Sequence, residues 1–468
     1  MARTCSTLGK ERRFLSRAHR QFVGYLERQP EELLRAGYAS LYALDDSTLC
    51  RAQPWPVFLP RARVRAFESA AVGLARIFLD LPRRIFANDP ARFQEFYRIG
   101  ADQAQLIATL IDTTGILDIA TARGDFLETA DGLKCMELNV GGGLGGWSVG
   151  AWTRSYLAEP LIRGFLEQSG LDVTFTLPSD VVFRHILAEV GPLADGGEVN
   201  VAFAVPSAQT LVGTGRWAED YESEYRAILA SRDDLGGSAV TCPIAELREE
   251  GRGLRFGDRR IHAVVEAVNG DITRPVLSAL MAGTVRVFNG PVTRVLADKL
   301  NLALLSELVD SDLLSAAERE TVRAHVPWTR RVSAEFVDFE GERAYLPDLL
   351  CDRQERMVVK PGFSAHGEEV FIGPGTSREA WAQIVERALG EEGWVAQEFL
   401  DGTTYLFQVD DDPRRPPAAH DLVWGLLTFG DRYAGCFVRL MARGGHGVIN
   451  AARGACVGAV LEVDEDPA

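Results

Sequence analysis

The chain has 468 residues, of which 46% are hydrophobic and 25% charged, and this balance excludes a disordered or collagen-like protein. The formal net charge of −16 repels polyanions, so we expect a small-molecule substrate and no nucleic acid. No apolar run approaches the ~18 residues of a membrane span, and the first residues lack the apolar core of a signal peptide, so we expect no membrane partner and a cytoplasmic location.

Cysteine and lysine are distributed in an informative way. The seven cysteines are scattered without a CxxC pair, which predicts neither a disulfide framework nor a zinc site. Lysine occurs only at positions 10, 134, 299 and 360, against 46 arginines. Where arginine fills most basic positions, a retained lysine indicates a place that needs a compact ammonium, although chance survival on the surface is the alternative. Lys299 and Lys360 are therefore candidates, whereas Lys10 lies in a charged N-terminal stretch that favours chance.

The chain changes character near residue 116. Residues 12–115 place apolar side chains at the spacing i, i+3, i+4 and i+7, which predicts a helical lead-in. From there on, short β-type runs alternate with helices, which indicates a mixed α/β (α+β) architecture.

The segment RGDFLETADGLKCMELN predicts two short strands joined by the turn TADG. Glu137 and Asn139, at i and i+2, project from one face of their strand, and Arg123 and Asp125 share a face in the same way. Two carboxylates and an amide carbonyl suit Mg²⁺, and the fork of Arg123 suits a phosphate. The alternative is an edge strand with solvated charges.

The segment MVVKPGFSAHGEEVFIG predicts a flap between two strands. Gly362, Ser364 and Gly367 would let backbone N–H groups approach phosphate oxygens, with Lys360 as a point charge at the base of the flap. An ordinary β-hairpin with one exposed lysine is the alternative.

Two further segments contain candidate nucleotide contacts. FNGPVTRVLADKLNLALLSEL predicts a turn and then an amphipathic helix whose one lysine is Lys299, with a solvated helix face as the alternative. EGWVAQEFLDGTTY predicts a buried strand that ends in Gln397 and Glu398, as expected of a hinge whose backbone pairs with adenine, and a plain core strand is the alternative.

Together these segments resemble the ATP-grasp ligases in their circularly permuted form, the arrangement of the synthetase half of glutathionylspermidine synthases. The order of the motifs is the basis of the resemblance, because Arg123-x-Asp125 and Glu137-x-Asn139 precede Lys299 and Lys360, the reverse of ordinary ATP-grasp chains. The likeness covers roughly residues 120–455. The chain departs from the glutathionylspermidine branch in the turn VGGGLGGWS and in lacking a recognisable amidase domain in front.

The resemblance implies an enzyme that uses ATP and two Mg²⁺ ions to join a carboxylate to an amine or thiol through an acyl phosphate, with a carrier-protein thiol among the possible acceptors. It implies roles for the candidate residues as follows: Asp125, Glu137 and Asn139 as metal ligands; Arg123 and Lys360 as catalytic residues; and Lys299, Lys360, Gly362, Ser364, Gly367, Gln397 and Glu398 as nucleotide contacts. The segment AGCFVRLMARGGHGVIN keeps the outline of the family's closing segment and adds Arg439 as a catalytic residue, with Asn450.

The resemblance also implies a division of the chain. We expect a helical region at 1–115, the metal- and phosphate-binding part of the core at 116–170, and an α/β substrate lobe at 171–290. A nucleotide-binding lobe with flap and hinge follows at 291–410, and closing strands with an acidic tail occupy 411–468.

Two other functions compete with the ligase. The loop GGGLGG at 141–146 satisfies GxGxxG between a strand and a helix, which is compatible with an NAD(P)-dependent Rossmann oxidoreductase, although acidic Glu137 and polar Asn139 precede it. A non-catalytic nucleotide-binding protein with the same fold is the second alternative. His366 and His446 are possible proton carriers, but lone histidines are more often structural.

Overall fold

The computed structural model describes residues 13–42, 51–114, 120–146, 149–194, 197–267, 272–363, 369–408, 415–444 and 448–465. Within these ranges the helices are α1 (Arg17–Leu26), α2 (Glu31–Tyr42), α3 (Arg61–Phe86), α4 (Pro90–Tyr97), α5 (Ala101–Thr114), α6 (Val149–Ala158), α7 (Pro160–Ser169), α8 (Pro178–Val190), α9 (Ala208–Ala230), α10 (Arg274–Met281), α11 (Val292–Leu296), α12 (Leu300–Glu307), α13 (Ala316–His325), α14 (Leu346–Asp352) and α15 (Arg378–Gly390).

The strands in the same ranges are β1 (Arg51–Ala52), β2 (Val57–Pro60), β3 (Thr121–Thr129), β4 (Gly132–Val140), β5 (Val173–Thr174), β6 (Glu198–Val205), β7 (Gly236–Pro243), β8 (Arg248–Glu250), β9 (Gly253–Phe256), β10 (Arg259–Ile261), β11 (Ala263–Glu266), β12 (Arg286–Phe288), β13 (Thr329–Arg331), β14 (Phe336–Phe339), β15 (Glu342–Tyr345), β16 (Met357–Pro361), β17 (Phe371–Ile372), β18 (Trp394–Glu398), β19 (Thr404–Phe407), β20 (Ala418–Phe429), β21 (Arg432–Ala442) and β22 (Cys456–Val463).

The N-terminal region is helical, as the spacing of its apolar residues predicts, but not throughout. β1 and β2 pair in parallel with β22, so residues 51–60 belong to the main sheet and not to the helical lead-in. The physical reason is visible in Val57–Pro60, whose four residues are all buried and therefore lack the one-sided pattern of a surface helix. The helical region is also interrupted at Arg98, which adopts a left-handed φ of 54° between α4 and α5.

A nine-stranded sheet forms the centre of the molecule. Its main order is β1-β22-β21-β20-β3-β4, with β19 on β20 and with β2 and β5 on β22. The long helix α3 packs on this sheet, where the rings of Phe67 and Trp424 lie 5.0 Å apart between centroids. Burial of such large aromatic surfaces is a major stabilising contribution to a core of this kind.

Two four-stranded sheets are formed by the part of the chain between β5 and β19, two strands of the central sheet. The order β12-β11-β6-β7 is parallel at every neighbouring pair, with α9 and α10 as crossover helices. The order β13-β18-β16-β17 is antiparallel, and α15 connects β17 to β18. In the part of the chain that the structure describes, no helix combines the length and the apolarity required to cross a bilayer.

Candidate active site

Most of the candidate residues line one cavity of about 1700 Å³. Its walls come from the β3–β4 hairpin, the loop that follows it, the start of α12 and the strands β16, β18 and β21. The candidates that line it are Arg123, Asp125, Glu137, Asn139, Lys299, Lys360, Gln397, Glu398, Arg439 and Asn450. The fold thus collects into one space residues that lie more than 300 positions apart in the sequence.

The hairpin predicted from RGDFLETADGLKCMELN is confirmed. β3 and β4 are antiparallel, with Arg123 opposite Asn139 and Asp125 opposite Glu137. Directly opposed residues project from the same face of a sheet, so the four side chains form one polar group. Beyond them the register shifts, and Phe126 faces Cys135, which leaves Met136 as the extra residue of a β-bulge.

Asp125 is clamped between two guanidinium groups. Its Oδ1 lies 2.9 Å from Nε of Arg123 and 2.6 Å from Nη2 of Arg439, and its Oδ2 accepts a hydrogen bond of 3.4 Å from the Asn139 amide. Burial alone would raise the pKa of Asp125, but the two arginines outweigh it and lower the pKa to about 2. Asp125 is therefore ionised at neutral pH, and it holds two cations at the cavity wall.

Two of the three lysines within the described residues are buried at this cavity. Nζ of Lys299 lies 3.4 Å from Oε1 of Glu137. Lys360 donates to the carbonyl of Met136 at 3.0 Å and to Oε1 of Gln397 at 3.2 Å. Burial lowers the pKa of Lys360; Glu137 opposes this effect and the neighbouring Lys299 adds to it. Two buried ammonium groups at one cavity are donors of the kind that a multiply charged anion requires.

The environment of Lys299 differs from the expected amphipathic helix. The structure has two short helices, α11 and α12, with Lys299 at their junction, and seven of the eight residues of α12 are buried. At this junction the side chain of Asp298 accepts the N–H of Leu300, the first residue of α12, at 2.9 Å, which is an Asx-type turn that precedes the new helix. Lys299 therefore reaches the cavity from a helix start and not from a solvated helix face.

The strand that contains Gln397 and Glu398 does not offer its backbone as a hinge in the expected way. The N–H of Glu398 donates to Trp328 at 2.9 Å, and the N–H of Phe399 donates to Arg356 at 2.7 Å. Both N–H groups are therefore already hydrogen-bonded to residues beside β18, which is an inner strand between β13 and β16. A main-chain N–H that binds adenine would therefore have to come from another residue, and the assignment of Gln397 and Glu398 as nucleotide contacts stays a prediction.

Gly362 also has a different task from the expected one. Its N–H donates to the carbonyl of Gly393 at 2.6 Å, and its carbonyl accepts from the N–H of Lys299 at 3.0 Å. A Cβ at this position would lie 2.4 Å from Oδ1 of Asp298, so only glycine fits. The N–H is thus not free to bind a phosphate. Ser364, His366, Gly367 and His446 lie outside the described residues.

The glycine loop at 141–146 does not have the surroundings of a dinucleotide site. A Rossmann fingerprint follows a parallel strand of a βαβ unit, whereas β4 is antiparallel to β3. A Cβ on Gly142 would lie 1.8 Å from the carbonyl oxygen of Glu266, and Gly146 has a φ of 116° against the ring of Phe437. Gly142 and Gly146 serve close packing of this loop against β11 and β21, and these surroundings do not support a Rossmann dinucleotide site at 141–146.

The donor set on the hairpin fits a magnesium ion in its chemistry. Asp125, Glu137 and Asn139 provide two carboxylates and an amide carbonyl on one face of the sheet, and hard oxygen donors are what Mg²⁺ prefers. Within the described ranges, no group of three or more His, Cys, Asp and Glu side chains could hold a metal. A bound ion would therefore need the amide or ligands from outside the protein, and substrate phosphates are the usual ones.

Sequence reasoning missed Glu266, a carboxylate that is buried yet lines the same cavity. It is the last residue of β11 and pairs in register with Ala204 of β6. Chain connections leave these two strands in opposite directions, and ligands of parallel sheets bind outside the carboxyl ends of such strands. The signal that could have identified it in the sequence is an acidic residue directly after the apolar residues in the run HAVVEAV.

Comparisons with known proteins bear on the fold. No protein-family model and no curated protein matches the chain. Among solved structures, the chain is similar to a glutathione synthetase-like effector of Globodera pallida in its apo form, with a TM-score of 0.53 and 12% identity over 93% of this chain and 98% of that one. The predicted ATP-grasp-like α/β fold is thereby confirmed.

Two shorter matches have TM-scores too low to establish a common fold. A RimK-domain ATP-grasp protein of Sphaerobacter thermophilus is 18% identical, with a TM-score of 0.26 over 56% of this chain and 91% of that one. The D-alanyl-alanine synthetase A of Vibrio cholerae is 9% identical, with a TM-score of 0.28 over 58% and 89%.

Proposed function

We propose that the protein is an ATP-dependent ligase that joins a carboxylate to an amine or a thiol and releases ADP and phosphate. The observation that supports this most strongly is the meeting of three buried cations and one half-buried cation with the polar face of a hairpin in one cavity of an ATP-grasp-like fold. These cations are Lys299, Lys360, Arg123 and Arg439.

The cations account for nucleotide binding. A triphosphate has several negative charges on a short chain, and it is held best by donors that are already placed and shielded from water. Lys360 is 4% exposed and is oriented by Met136 and Gln397. Lys299 and Lys360 would hold the phosphate chain, and the fork of Arg123 would contact the γ-phosphate.

Magnesium would be held by Glu137, Asn139 and Asp125, and it would neutralise phosphate charge when bound. Glu137 now pairs with Lys299, and Asp125 pairs with both arginines. Entry of an anion gives those cations a second partner, so the carboxylates can share their charge with a metal. The charges of the site would therefore favour the binding of a phosphate anion together with a metal cation.

The chemistry then follows from positioning. An oxygen of the substrate carboxylate would attack the γ-phosphorus in line, and the bond between that phosphorus and the β–γ bridging oxygen would break. The products of this step would be an acyl phosphate and ADP. The amine or thiol next attacks the acyl carbon and expels phosphate. Both steps require the exclusion of water, because an exposed acyl phosphate hydrolyses. Strands of three sheets line the cavity and would shield a bound intermediate on those sides.

The acceptor would bind beside the carboxyl end of the parallel sheet, where Glu266 lines the cavity. The expected partners are a small carboxylate and an amine or thiol, with a carrier-protein thiol included among the acceptors. Reduced cysteines without a disulfide framework agree with a cytoplasmic location, which we retain as part of the proposal.

The test is an ADP-release screen with Mg-ATP against panels of carboxylates and amines, followed by mass spectrometry of the products. We expect ADP and a condensed product for at least one pair. Release of AMP would overturn the acyl-phosphate mechanism. Binding of Mg-ATP without turnover on a panel that includes thiols would favour a non-catalytic nucleotide-binding protein.

A further inference from the structure

An ion pair with a fully buried carboxylate lies next to the segments that contain the two lysines and is not part of the cavity lining. Asp298, with 0% of its surface exposed, immediately precedes Lys299. Its Oδ1 accepts the N–H of Leu300 at 2.9 Å, and its Oδ2 accepts from Nη2 of Arg98 at 2.9 Å. Neither Asp298 nor Arg98 lines the cavity, so neither is placed to touch a substrate there.

The same carboxylate contacts the segment that contains the other lysine. A Cβ placed on Gly362 would lie 2.4 Å from Oδ1 of Asp298, so the carboxylate packs directly against this glycine. The carbonyl of Gly362 also accepts a hydrogen bond from the N–H of Lys299 at 3.0 Å. Gly362 is two residues beyond Lys360. Asp298 therefore packs against both lysine-bearing segments.

Arg98 completes the arrangement from the other side. A Cβ placed on Gly393 would lie 2.7 Å from the guanidinium carbon of Arg98, so the two residues are in close contact. The carbonyl of Gly393 accepts a hydrogen bond from the N–H of Gly362 at 2.6 Å. The preceding residue, Tyr97, donates its hydroxyl hydrogen to Oδ1 of Asn301 at 2.8 Å. The end of α4 and the residue that follows it thus contact the start of α12 and the residue before Lys299.

We propose that Asp298, held by Arg98, is a positioning residue that sets the spacing of Lys299 and Lys360 for a phosphate chain. The inference rests on the proposed function and adds to it a residue that acts through others. The pairing of a buried carboxylate with a partly exposed guanidinium is seldom a large source of stability, because desolvation of the carboxylate offsets much of the attraction. What the pair supplies is fixed geometry, because the carboxylate accepts hydrogen bonds from Leu300 and Arg98 and packs against Gly362.

The alternative is that the ion pair only stabilises the fold. The two cases predict opposite changes in the affinity of the cavity for anions when Asp298 is neutralised. Asp298 is an anion next to Lys299, so its neutralisation makes the cavity more attractive to anions if the lysines stay in place. If the lysines move apart, the opposite occurs, and affinity for polyphosphate falls. The sign of the change is therefore diagnostic.

The experiment compares the dissociation constants of Mg-ATP and AMP for the full chain and for Asp298→Asn, by calorimetry. ATP uses the lysines in the proposed site and AMP lacks the outer phosphates, so their ratio reports on lysine spacing. We expect the preference for ATP to fall at least ~10-fold, about 1.4 kcal/mol, with AMP binding little changed. The matched control is Asp80→Asn, which breaks a similar aspartate–arginine contact on α3.

If the wild-type protein shows no preference for ATP, the proposed function fails before the positioning is tested. If the preference is present and Asp298→Asn keeps or increases it, the positioning inference is wrong. Arg98→Gln provides the second variant in case Asp298→Asn does not fold, because 27% of the Arg98 side chain is exposed. It should also weaken the preference for ATP, and an unchanged ratio would contradict the inference.

Discussion

Nζ of Lys360 donates to the main-chain carbonyl of Met136 at 3.0 Å, which links the strand β16 to the one residue that the β-bulge leaves unpaired in β4. Bulges redirect a strand locally and are common next to active sites. Here the bulge lies next to Glu137, the carboxylate that faces Lys299. The hairpin therefore orients one lysine through its backbone and pairs with the other through a side chain.

Replacement of Glu137 by Ala should abolish magnesium-dependent ADP formation and leave the fold intact. Glu137 is one of two carboxylates on the polar face, and its side chain is 26% exposed, so its removal costs little packing. The measurement is ADP release as a function of magnesium concentration, with the melting temperature as a check of folding. Glu249→Ala, at an exposed position on β8, is the control. Near-normal magnesium-dependent turnover in Glu137→Ala would refute the metal assignment.

Lys360→Arg should lose at least ~10-fold in turnover, about 1.4 kcal/mol of transition-state stabilisation. The substitution keeps the charge, but a planar fork cannot replace a compact ammonium held between the Met136 carbonyl and Gln397 at 4% exposure. Steady-state kinetics of the variant decide the matter. Lys134→Arg is the control, since Lys134 donates to Ala324 away from the cavity. Unchanged activity in Lys360→Arg would mean that the scarcity of lysine has no bearing on the site.

The ion pairs of Asp125 should make the stability of the protein depend on pH in the acid range. The pKa of Asp125 falls from the ordinary 3.8 to about 2, so the folded state binds its proton less tightly than the unfolded chain does. The resulting stabilisation, ~2 kcal/mol, is fully present above the ordinary pKa and is lost as the pH falls towards 2. The free energy of unfolding of Asp125→Asn should therefore approach that of the wild type between pH 5 and about 2.

Denaturant titrations of both proteins at several pH values provide the measurement. Asp131→Asn, at the exposed turn of the hairpin, serves as the control. A gap between wild type and Asp125→Asn that stays constant down to pH 2 would show that the two arginines do not hold this carboxylate.

Much of the hairpin was predictable from sequence, and much of its surroundings was not. Alternation with period two placed Glu137 and Asn139 on one face, because the pleat of a strand enforces it. No local pattern connects Asp298 with Gly362 or Gln397 with Lys360, since these contacts depend on tertiary packing. The breaks at Arg98 and Lys299 were missed for the same reason: the helical periodicity continues through both.

The glycine loop allows the stability cost of a Cβ to be compared at two adjacent positions. Gly142→Ala should cost ~1–3 kcal/mol of stability, because the new Cβ would collide with the backbone of Glu266. Gly143→Ala should cost far less, since nothing lies within 4 Å of a Cβ there. Thermal unfolding of the two variants measures the difference. Equal melting temperatures would contradict the close packing of hairpin and β11.

Trapping of the acyl intermediate tests the central claim most directly. The full chain is incubated with Mg-ATP, a panel of carboxylates and hydroxylamine, which captures an acyl phosphate as a hydroxamate, and nucleotide products are separated in parallel. The account predicts hydroxamate and ADP in equal amounts for at least one carboxylate, with both lost in Glu137→Ala and retained in Lys134→Arg. Hydroxamate formed together with AMP and pyrophosphate would contradict it.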